Sequence, residues 1–360
     1  MARASPSSTT APLYAALCAV GQLRAVDTAT APHWAAQARF ARSLMMGTDW
    51  AGLHLVLVTD ALERELDRTR RIISASWGLP SDNFHAFRHG VSPRSILRSR
   101  CTNLSQYEAA DDSTSDGLAA NVGGDAAAGG RFCAGPMCRR SLRAALHAFY
   151  GQWTKAKACS DRVLSIEKRR QQRFRFVVKT RTDWPFVAAT PLTVLDSLAH
   201  QAVVYARFRC ANTAPRLLPD PYLAQNRADV SSLGSGCARS AVYMDDQLVV
   251  APRRTAKLLF SAADLPCPTN SAEVQRRVTS ICMAGNERDF TPMAECLLHV
   301  HVTRMVVRNG VWCNGRRCRG HSLVGPILAS WAGDEANASR DSISSSSTAS
   351  GTAKRAFGVW

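Results

Sequence analysis

The chain has 360 residues, enough for one large α/β domain or two ordinary ones, and its hydrophobic content of 46% with 20% charged residues excludes a disordered chain. A formal net charge of +17 invites nucleic acid, a membrane surface or a phosphorylated substrate. Only 6 of the 45 basic residues are lysine, and the arginines are scattered without the interleaved aromatics of a base-stacking platform, which weighs against nucleic acid.

The leader, residues 1–11, is basic, rich in Ser and Thr and free of acids, in the manner of a very short transit peptide. The apolar run "APLYAALCAV" at 11–20 is half the ~20 residues of a membrane span, and no small-residue cleavage site follows it. These features predict no membrane span and give no secretion signal. The run continues into "GQLR" and predicts a buried strand ending at Gly21, the usual opening of an α/β nucleotide-binding fold. A helix is expected at 33–46 and a second buried strand at 53–60. Asp60 is read as the cap of the next helix, with Glu63 completing a capping box. Strand, helix, strand and helix within 75 residues predict a parallel sheet.

Residues 109–131 are low in complexity and read as a surface loop; their glycines lack the GK[ST] of a phosphate loop. From 139 to 169, Leu142, Leu146, Phe149, Trp153, Ala156, Val163 and Ile166 recur at spacings of three, four or seven and predict a long amphipathic helix. It leads into "FRFVVKTRTDWPF" at 174–186, an expected strand. The single domain is expected to span 12–333, and the Ser/Ala-rich tail 334–360 to be disordered.

Three clusters carry candidate chemistry. At the end of the 174–186 strand, Arg181 and Asp183 share one face, beyond Lys179. At the carboxyl end of a parallel strand such a pair faces the ligand crevice, where a carboxylate holds a divalent cation or a sugar hydroxyl and a guanidinium clasps a diphosphate. The plainer reading is an Arg–Asp ion pair stapling a loop. In "VYMDDQLVVAPRR" at 242–254, Asp245 and Asp246 stand before another apolar strand, where their repulsion calls for a nearby positive partner; a solvated turn is the plainer reading. In "TPMAECLLHVHV" at 291–302, Glu295 and His299 are four apart on one helix face. His299 and His301 read as core residues rather than ligands. No HExxH and no G-x-S-x-G is present.

Twelve cysteines exceed cytosolic habit without making a disulfide scaffold. Cys133 with Cys138, and Cys313 with Cys318, suggest small disulfide loops, whereas Cys18, Cys159, Cys282 and Cys296 read as buried free thiols.

The ordered set "VGQLR", "GQWTKAKACSDRVLSIEK", "FRFVVKTRTDWPF", "VYMDDQLVVAPR" and "TPMAECLLHVHV" resembles a glycosyltransferase-like family of algae and plants. That resemblance covers roughly residues 12–308 and implies a GT-A-like, Rossmann-type mixed sheet flanked by helices. It implies a nucleotide-diphospho-sugar donor and a glycan, protein or small-molecule acceptor, with Mn2+ or Mg2+ as a possible partner ion. By the same resemblance Gly21, Gln22, Arg24, Lys179, Arg181 and Asp183 would lie at the donor, Asp183 at the metal, and Asp245, Asp246 and Glu295 at the transferred sugar or acceptor. Where the better-known GT-A enzymes carry Asp-x-Asp, this chain carries Arg181-Thr182-Asp183, which puts metal dependence in question. A secretory (Golgi) setting is implied too, without a signal or anchor in the sequence; the sequons at Asn103 and Asn337 are compatible with it. A catalytically silent carbohydrate-binding or interaction module and a basic nucleic-acid binder are the competing classes.

Overall fold

A computed structural model describes residues 12–23, 30–101, 136–183, 186–197, 204–210, 242–282 and 294–309, with short strand segments at 312–313, 316–317, 324–326 and 329–331. The leader, Arg24, the 109–131 segment, Cys133, Cys318, both sequons and the tail lie outside the described residues. So do the side chains of Cys138, Cys282 and Cys313.

The predicted alternation forms. β1 (Ala15–Gly21), β2 (Leu53–Thr59) and β3 (Phe84–Arg88) alternate with α1 (Ala31–Leu44) and α2 (Glu63–Trp77), and α3 (Pro93–Arg100) follows β3. α4 (Pro136–Arg170) then crosses back to β4 (Phe176–Arg181). The second half adds β5 (Phe186–Ala189), α5 (Leu192–Ser197), β6 (Val204–Cys210), β7 (Val242–Pro252), α6 (Arg253–Phe260), α7 (Ala272–Cys282), α8 (Ala294–Asn309), β8 (Trp312–Cys313), β9 (Arg316–Arg317), β10 (Val324–Pro326) and β11 (Ala329–Trp331).

Among the described residues the main sheet has seven strands in the order β10-β6-β7-β4-β1-β2-β3. β1 pairs in parallel with both β2 and β4, and β7 runs antiparallel between β4 and β6. This is a mixed α/β sheet of Rossmann type in its β3-β2-β1-β4 half, flanked by helices on both faces. β1 and β2 are buried on both sides, which is why they read as continuous apolar runs.

Each face buries its own cluster. Cys18, Val20, Val56 and Val177 pack under α4, where Leu146, Phe149, Trp153, Ala156, Val163 and Ile166 form the predicted stripe. Leu17, Leu55, Phe176 and Val178 face the other way, against Trp34 and Phe40 of α1 and Ile73 and Trp77 of α2.

Three readings are corrected. α2 starts at Glu63 with Leu62 as its cap residue, and Glu65 rather than Glu63 reaches back to accept from the Leu62 N–H at 3.0 Å. Asp60 is committed elsewhere, as described below. Three of the four cysteines expected as free thiols are bonded: Cys18 of β1 to Cys159 of α4, both with zero exposure, while Cys296 is also disulfide-bonded. Cys101, at the end of α3, joins Cys267 beyond α6. Apolar surroundings suit a cystine as well as a thiol, so burial could not separate the two. Asp245 and Asp246 lie inside β7, not in a turn before it.

His54, His85 and His301 are held uncharged, chiefly by burial, with values pushed down to about 3, about 4 and about 4. Their unfolded counterparts titrate near 6.5. Stability from these groups is therefore complete above pH ~6.5 and is lost as pH falls toward 4.

The two bridges close loops of 141 and 166 residues. Reduction is expected to lower the free energy of unfolding by about 2–5 kcal/mol per bridge, read as the urea midpoint with and without dithiothreitol; an unmoved midpoint contradicts it. Between pH 7 and 5 the midpoint should also drop, with up to about three protons taken up on unfolding, one per histidine. A flat profile over that range contradicts the histidine assignment.

Candidate functional site

The strand order turns about between β1 and β4, whose carboxyl ends lie side by side, a place where α/β sheets open a ligand crevice; the segments that follow them, α1 and β5, pack on one face, Phe40 against Phe186. Gly21 closes β1 with φ +151°, and a Cβ there would stand 2.7 Å from the Thr182 hydroxyl oxygen. The glycine lets the two strand ends meet. Thr182 Oγ1 donates to the Gln22 carbonyl at 3.0 Å, and His33 Nε2 of α1 donates to the Thr182 carbonyl at 2.6 Å. Gln22 itself is exposed at the lip.

The alternation of β4 sends Val177, Lys179 and Arg181 toward the α4 side. Arg181 Nε and Nη2 donate to the two Asp183 oxygens at 2.8 and 2.7 Å. That bidentate pair, first, holds the Arg181 guanidinium above its ordinary value; the fields of Asp246 and Glu295 add to it. Asp183, Asp246 and Glu295, from the turn after β4, β7 and α8, thus lie within electrostatic reach of Arg181.

Lys179 is corrected from a ligand-facing residue to a buried support. It has no exposure, and its Nζ donates to Gln152 Oε1 of α4 at 2.9 Å and to the Asp246 carbonyl. It also stands 5.3 Å from the Trp153 ring centroid and 4.0 Å from Asp246 Oδ2. A desolvated ammonium persists only with such partners. Asp246 is 1% exposed, and its Oδ2 accepts no hydrogen bond among the described residues. The β6–β7 register shifts between Ala206 and Phe208, opposite this part of β7, and such irregularities re-aim side chains. The sequence reading of adjacent acids needing a positive partner holds for Asp246. Of Asp245, only its backbone place in β7 is described.

One group was missed. At the carboxyl end of β2, Asp60 pairs with the nearly buried Lys155 of α4 at 2.5 Å, while its Oδ1 remains unpartnered. His89 follows β3, its N–H donating to the Thr59 carbonyl at 2.7 Å; burial and Lys155 lower its affinity for a proton. The signal was present in "LVLVTD", an acid after a buried strand, but was spent on a helix cap. By contrast His299 and His301 are the core residues expected. Both are buried, and His301 Nε2 donates to the Leu258 carbonyl at 2.8 Å.

Among the described residues no group of three His, Cys, Asp or Glu side chains could hold a metal ion. Each Asp183 oxygen accepts from Arg181, so among the described residues no set of carboxylates stands ready for a resident ion. No helix among them is long and apolar enough to cross a membrane.

No family model matches the chain, and no curated protein matches it in sequence. A solved structure to which it is similar is mouse xyloside xylosyltransferase 1 in its apo form, at 10% identity, over 81% of each chain, with a TM-score of 0.33. So distant a likeness gives no residue a role.

Removing the Lys179 ammonium (Lys179→Met) leaves Asp246 buried without its cation and is expected to cost about 3–5 kcal/mol of stability by urea unfolding. A loss under 1 kcal/mol would show that the clasp is not structural.

Proposed function

We propose that the chain is a glycosyltransferase of GT-A-like fold that takes a nucleotide-sugar donor in the crevice at the carboxyl ends of β1, β2 and β4. The observation that carries this is the convergence of Arg181, Asp183, Asp246 and Glu295 at the topological turning point of an open α/β sheet, where such sheets bind ligands. Gly21 and Gln22 would border the nucleotide. Asp60, with one oxygen unpartnered at the end of β2, suits a ribose hydroxyl. Arg181, 25% exposed in its side chain, is within reach of a diphosphate and would stabilise its departure.

Asp246 is the base this reading assigns to an inverting transfer, because Oδ2 has an open lone pair. Glu295 on α8 would orient the acceptor hydroxyl, and Asp245 is carried as a neighbour in β7. Around Arg181, two cations, Lys179 and Arg181, face three carboxylates, Asp183, Asp246 and Glu295. A dianionic diphosphate adds to that imbalance, so a divalent cation arriving with the donor fits the electrostatics only if Arg181 turns off Asp183. Arg24, outside the described residues, stays in the proposal on the resemblance alone. The algal and plant family and a secretory setting are likewise proposals; buried disulfides favour an oxidising compartment.

The silent-module reading is favoured by one observation: Asp183 spends both oxygens on Arg181, as a loop staple would. The two readings part in a thermal-shift screen with UDP-, GDP- and CMP-sugars, with and without Mn2+. At a hundredfold excess over Kd a binding donor should stabilise by about 2.7 kcal/mol. That shift should vanish in Asp183→Ala, and Asp246→Asn should keep the shift while losing about 10²–10⁴ in turnover. No shift with any donor removes the transferase reading.

A further inference from the structure

We infer a second, separate site: an oxyanion pocket at the opposite, amino-terminal end of the sheet. It takes one phosphate- or sulfate-type group and binds it together with a proton. The pocket is a cavity of about 480 Å³ walled by His54 of β2, His85 of β3 and Arg162, Arg169 and Arg170 of α4. α4 runs against the parallel strands, so its Lys155 meets the carboxyl end of β2 while Arg162 meets the amino end of β3. The pocket therefore shares no residue with the crevice.

Three guanidiniums converge here against a single lining carboxylate, Asp82; Ser81 adds a hydroxyl. Basic residues in the last turn of a helix answer its C-terminal dipole, which accounts for Arg169 and Arg170. It does not account for Arg162, two turns back, whose Nη2 stands 3.4 Å from His85 Nδ1.

The hydrogen-bond pattern sets the protons. Arg162 donates to His85 Nδ1, so His85 carries its proton on Nε2 and donates it to His54 Nδ1 at 3.3 Å. Both imidazoles are neutral in this chain, their rings near-parallel and side by side with centroids 5.6 Å apart, and His54 is edge-on to Phe174. Burial and the surrounding arginines keep them so; Asp82 is the one group pulling His85 the other way. Nδ1 of His85 cannot accept from Arg162 and hold a proton at once. Proton uptake from solvent releases that guanidinium N–H and creates a new imidazolium N–H, both needing an acceptor. A tetrahedral oxyanion accepts from both and cancels the added charge. Anion and proton thus bind with mutual reinforcement, as linkage requires.

Sulfate is the cleaner probe, since it does not itself titrate between pH 5.5 and 7.5. Calorimetric titration of the full chain with sodium sulfate, against sodium chloride at equal ionic strength, should give one saturable site. Its affinity should rise at least about threefold from pH 7.5 to 5.5, with net proton uptake seen by comparing two buffers. Arg162→Gln should weaken it by about tenfold or more, and so should the exposed Arg169→Ala, which leaves the core untouched. Arg175→Gln, a basic site elsewhere on the surface, should not. A sugar phosphate binding more tightly than sulfate assigns the pocket to an ester group; equal or weaker binding assigns it to the free anion. No saturable site, affinity indifferent to pH, or equal losses in Arg175→Gln and Arg169→Ala overturns the proposal.

Discussion

The ammonium of Lys179 is the constraint on which the carboxyl end of the central sheet depends. It sits at zero exposure between the sheet and α4, and it binds a glutamine of the helix and the Asp246 backbone of β7. Charge in so dry a place is tolerated only when every partner is fixed. The crossover helix, the central strand and the antiparallel strand are therefore locked in one arrangement before any ligand arrives. Asp246 is held in the core by the same contact, and Arg181, two residues along β4, is carried to the rim. Such preorganisation is what a site that stabilises developing charge requires.

The other end of the sheet is built from the same helix with the opposite charge balance. Near the crevice the described acids outnumber the described bases around Arg181, whereas at the foot of α4 three arginines meet one aspartate. The large net positive charge is thus not spread evenly over the molecule. Two of the disulfides hold this architecture from both sides of α3 and α4, tying β1 to α4 and α3 to the segment after α6. Their burial makes them structural elements rather than exposed redox handles.

Much of this was legible in the residues. The unbroken apolar runs of β1 and β2 declared a parallel sheet because strands covered on both faces have no polar side to show. The α4 stripe was plain for the converse reason, a helix with one buried face. Arg181 and Asp183 were found because a charged pair at the end of a buried strand is rare, and the staple reading of them matches the bidentate pair that forms. Three things were hidden. β3 is short and only half-buried, so it carried no strong period. Disulfide partners more than 140 residues apart leave no local spacing to read. The place of Asp246 inside β7 depends on the sheet's register shift and on Lys179, both tertiary facts. Asp60 was visible but misread, since an acid before a helix is more often a cap than the partner of a nearly buried lysine.

The carboxyl-end crevice is the proposed meeting place of this chain and its ligand. Amide hydrogen exchange tests it most directly, followed by mass spectrometry across the nucleotide-sugar panel. Protection is expected to be confined to peptides covering Val20–Leu23, Arg181–Asp183 and β7 around Asp246, with the amino ends of β2 and β3 unchanged. Protection at those amino ends alone, or at none of these segments with any donor, would contradict it.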